Sequence, residues 1–264
     1  VAGNGMAGIY SYPLVAGTAL TSPSGLRIEG NYVGTTADGL AAIPNGGGIS
    51  VTGAGSVIGG TTGTTPGGAC TGACNLISGN NFTGLRLTNA YDDLTGAPYS
   101  SASKSVVTGN YIGVNALGTA AVPNTSNGVD ITASTVTVAN KVVSGNGGVG
   151  ISFGVSTVQL TGVAVTGANA TGSIARGNYV GFNATGTALV QNGQSGIFIS
   201  VPGVTIGGAN QGDGNYAIGT FVPAAPPQIP FAIITSAIQT SFQTSQAGTV
   251  GVADGTIIRG NFIG

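Results

Sequence analysis

The sequence predicts an all-β chain wound into a parallel β-helix, or β-solenoid, and three observations carry that expectation. One short phrase returns four times, as "EGNYVG" (29–34), "TGNYIG" (108–113), "RGNYVG" (176–181) and "RGNFIG" (259–264), at intervals of 79, 68 and 83 residues. A second phrase, Gly followed by aliphatic–x–aliphatic, recurs between its copies and has the period-2 signature of a short strand with one buried face. The composition agrees: 50 Gly among many Val, Ile and Thr give turn and strand formers in quantity, while charged residues supply only 5%.

In chain order, "VAGN" (1–4) opens the sequence, and "VAGNGMAGI" (1–9) matches the interior "VSGNGGVGI" (143–151). Short strands are expected at "GGISV" (47–51), "TGLRL" (83–87), "NGVDI" (127–131), "GVGIS" (148–152) and "SGIFI" (195–199). "VIGG" (57–60) and "TIGG" (205–208) each follow one of these strands, and "ISGN" (77–80) pairs with "VSGN" (143–146). Like segments recur in one direction, which means parallel stacking rather than the antiparallel hairpins of a sandwich, and propeller signatures are absent.

The spacings set an expected coil. Val129 to Val149 is 20 residues, Ile9 to Ile49 is 40, Leu85 to Val129 is 44 and Val149 to Ile197 is 48. These read as one or two coils of roughly 20–24 residues, so about 11 coils in a single domain covering 1–264. The two 36-residue gaps, Ile49 to Leu85 and Ile197 to Ile233, read as single coils carrying insertions. Insertions are expected at about 61–76 (a Cys loop), 88–104 (a polar loop) and 210–245 (a Pro-rich apolar loop).

Each Gly-Asn is read as a corner. Gly tolerates positive φ, and Asn side chains stacked about 4.8 Å apart can bond along a ladder. Asn31, Asn80, Asn110, Asn146, Asn178 and Asn261 are the expected corner residues.

The function classes narrow by exclusion. No His and a single CxxxC pair, Cys70 and Cys74, cannot complete a zinc site or a His-dependent nucleophilic triad. The pair reads as a local disulfide in an oxidising compartment, two free buried thiols being the alternative. Six Lys and Arg are scattered singly at 27, 86, 104, 141, 176 and 259, with a net charge of −1, so no basic patch suggests nucleic acid. The most apolar stretch, 216–238, contains Pro223, Pro226, Pro227 and Pro230, which argue against membrane insertion. No signal peptide precedes Val1, so the chain reads as processed or excerpted.

Of seven acids only Asp92 and Asp93 adjoin, in "AYDDLTGAPYSSAS". Adjacent strand residues face opposite ways, so this pair reads as a solvated or Ca²⁺-touching loop rather than a catalytic one. The expectation is no catalytic residue, no metal and no cofactor. Sequons at Asn81, Asn124, Asn169 and Asn183 are candidate glycosylation sites. Within 220–245, Phe221, Val222, Ile229, Phe231, Ile233 and Phe242 would make an apolar subunit contact if the segment projects.

"GNYIGVNALGTAAVPNTSNGVDI" (109–131) and "GNYVGFNATGTALVQNGQSGIFI" (177–199) resemble repeats of right-handed parallel β-helix proteins of the pectin-lyase-like type. More narrowly, they resemble repeats of large secreted bacterial surface proteins, over most of the chain except 88–104 and 210–250. The resemblance implies a right-handed helix and a secreted protein at a cell surface or in an extracellular matrix. Neither end of the sequence looks capped, so end-to-end self-association into a filament, or a longer fibrous chain, is expected. A non-enzymatic structural role follows. The alternative is a carbohydrate-binding adhesin, or a polysaccharide lyase or hydrolase, with surface glycans as its partner.

Overall fold

The computed structural model describes residues 1–263 apart from 12, 17–18, 22, 92–97, 161–162, 220, 223–232, 235, 241–243, 246–247 and 250–254. Three parallel sheets of seven strands each run the length of the molecule, and no helix occurs among the described residues. The first sheet stacks Ala7–Tyr10, Gly47–Val51, Leu85–Leu87, Val129–Ile131, Ile151–Phe153, Ile197–Ile199 and Ile238–Thr240. The second stacks Arg27–Ile28, Val57–Ile58, Val106–Thr108, Thr137–Ala139, Ile174–Arg176, Thr205–Gly207 and Ile257–Arg259. The third stacks Tyr32–Val33, Leu76–Ile77, Tyr111–Ile112, Val142–Val143, Tyr179–Val180, Tyr216–Ala217 and Phe262–Ile263. The chain visits the sheets in that order and then begins again, which makes it a parallel β-solenoid.

Register explains the core. Ile49, Leu85, Val129, Ile151 and Ile197 lie opposite one another along the first sheet and are all buried. The second sheet contributes Ile58, Val107, Val138, Ala175 and Ile206, and the third Val33, Ile77, Ile112, Val143 and Val180. Like packs on like in one continuous apolar column. A parallel sheet needs such a column because every rung must cover the next.

The coil is longer than expected. Ile9 pairs directly with Ile49, so those 40 residues make one turn and not two. Along the first sheet the partners step by 36 residues from Ile49 to Leu85, by 44 to Val129, by 22 to Ile151, by 46 to Ile197 and by 41 to Ile238. Each sheet accordingly has seven rungs among the described residues, rather than about 11. The shortest turn also corrects a register: Ile151, not Val149, faces Val129, and Ser152, not Gly150, points outward.

The extra residues are insertions, and they alternate. The turns that begin at Ala7, Leu85, Ile151 and Ile238 carry antiparallel hairpins between the first and second sheets. Those hairpins are Leu14–Ala16 with Ala19–Thr21, Asn89–Tyr91 with Pro98–Ser101, Val155–Leu160 with Val163–Asn169, and Thr244–Ser245 with Gly248–Thr249. The turns between them pass from first to second sheet directly. After the third sheet, the loops 34–46, 113–127 and 181–195 share a conformation marked by the bridges Thr35–Ala42, Val114–Ala121 and Phe182–Leu189.

The four full copies of the Gly-Asn-aromatic-aliphatic-Gly phrase therefore mark every second turn, which explains intervals near twice the 40-residue step. An inserted hairpin with its side chains needs about 10 Å of axial room, two rungs of ~4.8 Å, so alternate turns can carry hairpins where successive ones would collide. The 88–104 insertion is one of these hairpins. The stretch 210–245 is not a single insertion: it includes the third-sheet strand Tyr216–Ala217, a hairpin of Phe221–Val222 with Ile233–Ile234, and the first-sheet strand Ile238–Thr240.

Candidate functional site

Two asparagine ladders hold the corners. Between the third and first sheets, Nδ2 of Asn4 donates to Oδ1 of Asn45 at 2.8 Å, Asn45 to Asn80 at 3.0 Å and Asn80 to Asn124 at 2.8 Å. The ladder continues from Asn124 to Asn146 and from Asn146 to Asn192, both at 3.0 Å. Between the second and third sheets, Asn31 donates to Asn75 at 3.0 Å and Asn75 to Asn110 at 2.9 Å. Farther along, Asn178 donates to Asn215 at 2.7 Å and Asn215 to Asn261 at 2.8 Å.

Past the first member of each ladder, every Asn also bonds a backbone carbonyl of the preceding turn, as Asn110 does to Ile58 at 2.9 Å. All six expected corner residues are thus in ladders: Asn80 and Asn146 in one, Asn31, Asn110, Asn178 and Asn261 in the other. Sequence reading did not name Asn4, Asn45, Asn75, Asn124, Asn192 or Asn215 as corners: "ACNL" lacks both the Gly and the aromatic, and "GNYA" carries Ala217 where the phrase has a branched aliphatic.

The second ladder has a break. Tyr111 pairs with Val142, which puts Lys141 where Asn belongs, and Asn140 takes the positive-φ corner (53°) that Gly109 and Gly177 take in the neighbouring turns. Lys141 is only 2% exposed, and its Nζ has no hydrogen-bond partner. Burial holds its amine well below the usual lysine range. Asn178 Oδ1, which should accept from this rung, is orphaned as well. Two unpaired buried polar atoms at one rung are uncommon in a folded protein and mark a place that something other than stability has shaped.

The outer face of the third sheet changes at the same rung. Its row reads Tyr32, Leu76, Tyr111, Val142, Tyr179, Tyr216 and Phe262. Tyr179 stacks on Tyr216 with centroids 5.0 Å apart, and Tyr216 on Phe262 at 4.5 Å. Val142 leaves a gap between Tyr111 and Tyr179. A loop from the second turn roofs this gap. Cys70 and Cys74 are disulfide-bonded in it, with Cα atoms 5.3 Å apart. The Cys70 amide donates to Ala116 O at 2.7 Å, and the hydroxyls of Tyr32 and Tyr111 donate to Cys70 O and Gly68 O. The loop reaches the fifth turn, where a methyl added at Gly67 would lie 3.4 Å from Thr185. Beneath it is a cavity of about 340 Å³ lined by Tyr111, Lys141, Val142, Tyr179, Ala184 and the disulfide, among others.

The remaining expected features are dispersed. On the first sheet the outward row is Tyr10, Ser50, Arg86, Asp130, Ser152, Phe198 and Gln239. A groove of about 490 Å³ opens at its first rungs, beside Tyr10, Phe82, Arg86 and Asn89. The described acids do not converge. Asp130 accepts from Thr83 and Asn127, Glu29 pairs with Arg27 at 2.6 Å, and Asp213 pairs with Arg176 at 3.5 Å. Asp38 is held below its ordinary pKa by the Thr36 hydroxyl and then the Leu40 amide, a local turn. Among the described residues no three His, Cys, Asp or Glu come together as a metal site. Asp92 and Asp93 lie outside the described residues, as do Ile229, Phe231 and Phe242. Phe221, Val222 and Ile233 are in a described hairpin.

The sequons separate by burial. Asn81 is exposed, Asn183 is half-buried in its loop, and Asn169 ends a hairpin strand. Asn124 is corrected as a candidate: it is fully buried and its amide is engaged in the ladder, so a folded chain cannot present it to a transferase.

Among the described residues these features define a parallel β-solenoid with laddered corners and a rung interrupted at Lys141. Comparison with family models, curated proteins and solved structures gives no match for this chain.

Proposed function

We propose that this protein is a non-enzymatic structural β-solenoid of an extracellular surface or matrix, right-handed and of the pectin-lyase-like kind, whose copies stack end to end into a filament. One observation carries the reading: all three sheets keep the same register from rung to rung, so the face of one rung is the template for the next. The disulfide supports an oxidising location. The acids described above serve separate structural contacts, which supports a scaffold over a catalyst.

Electron microscopy of the purified, untagged chain tests this. Filaments with an axial repeat near one subunit length are expected; isolated short rods at high concentration would overturn self-stacking. The groove beside Tyr10, Phe82 and Arg86 favours a second reading, a surface that grips a glycan. Binding on a glycan array that is lost in Arg86→Ala would support it.

A further inference from the structure

We propose that the cavity beneath the disulfide loop binds a small aromatic carboxylate, its ring inserted between Tyr111 and Tyr179 over Val142 and its carboxylate paired with Lys141. Three observations meet at one rung. The outward row of the third sheet lacks its large side chain there. The residue beside it, Lys141, replaces a ladder Asn and has a buried amine without an acceptor. The loop above is closed by a disulfide and spans the gap instead of filling it, leaving about 340 Å³.

The dimensions suit one ring. Tyr111 and Tyr179 are two rungs apart, about 9.6 Å on the ~4.8 Å stacking repeat. The same row packs its own rings at 5.0 and 4.5 Å, so a single guest ring midway restores the stack. Aromatic rings favour such offset contacts. The volume lies in the range of small-ligand sites, and Val142, Ala184, Pro66 and the disulfide supply an apolar lining.

The lysine selects the functional group. No acid lines the cavity among the described residues, so a carboxylate would have no competitor for the amine. Lys141 Nζ is buried, and its flexible four-carbon stem must turn toward the guest to meet it. A buried ammonium without a partner is costly, and a paired one is much less so, which gives the anion its advantage over a neutral ring.

The test is a calorimetric and NMR titration of the intact, disulfide-bonded protein with benzoate, and with benzamide as the neutral counterpart. Saturable benzoate binding with a dissociation constant below about 1 mM is expected, at least tenfold tighter than benzamide. Val142→Tyr should abolish binding of both by filling the slot. Lys141→Met should weaken benzoate at least tenfold and leave benzamide unchanged. Should Val142→Tyr not fold, Val142→Leu provides the same steric test with a smaller change. Absence of saturable benzoate binding, or benzoate binding indifferent to both positions, overturns the site. Equal affinity for benzoate and benzamide overturns the role of Lys141.

Discussion

Replacing Lys141 with Asn should stabilise the protein, because it mends the interrupted rung of the second ladder. An Asn side chain there can accept from Asn110 Nδ2 and donate to Asn178 Oδ1, the bonds its counterparts make at 2.7 to 3.0 Å. Two such bonds contribute about 0.5–1.5 kcal/mol each, and satisfying the orphaned Asn178 oxygen relieves a further penalty of about 1–3 kcal/mol. Against this, the shorter side chain gives up three buried methylenes, about 2.4 kcal/mol. The net gain is about 1.5 kcal/mol, an apparent Tm increase of about 3–6 °C for a chain of this size.

The pH dependence carries the diagnostic sign. The folded pKa of Lys141 is depressed, so between it and the ordinary value of 10.5 the unfolded chain holds more protons than the folded one. Wild-type stability should therefore rise with pH across that window, and the cost of the lysine is full below it. Circular dichroism melts at a fixed scan rate should show the largest advantage of Lys141→Asn near neutral pH, shrinking as pH approaches 10.5. A variant no more stable than wild type, with a difference indifferent to pH, would refute the break in the ladder.

Two other perturbations probe the frame. Asn124→Ala removes bonds to Asn80, Ile77 and Asn146 at a buried corner, and should cost about 3–5 kcal/mol in a urea titration, whereas Asn31→Ala at the part-buried end of the other ladder should cost less than about 1.5 kcal/mol. Cys70→Ser with Cys74→Ser opens a five-residue loop, and chain entropy sets the loss at about 2 kcal/mol. That loss should be local: hydrogen exchange should accelerate across 61–74 while the ladder amides keep their protection.

Much of this was legible in the residues. Parallel stacking, the inward Ile49, Leu85 and Ile197, and the corner Asn residues all follow from phrases that repeat. The pitch did not, because a 40-residue interval suits two plain turns as well as one turn with an insertion. Only the direct pairing of Ile9 with Ile49 decides between them. Asn75 hides behind Cys74, since the disulfide loop takes the place of the usual Gly corner. Lys141 hides for a related reason: "VANKVVSGN" no longer resembles "VTGNYIG" where both ladder and stack are altered. Superposing the two on their shared strands would have exposed it, because Lys then falls in a column of Asn.

The alternation of bare and hairpin-bearing turns also sets a grammar for how such a chain can change length. Gaining or losing one turn would bring two hairpins onto neighbouring rungs, or leave two bare turns together, and break the spacing along that edge. Gaining or losing a pair keeps the hairpins on alternate rungs and the three sheets in register. Unequal crossing-over between the full Gly-Asn-aromatic-aliphatic-Gly copies does this automatically, since that phrase occurs once per pair. A lineage carrying this gene can therefore lengthen or shorten the rod in whole doublets while its cross-section stays constant.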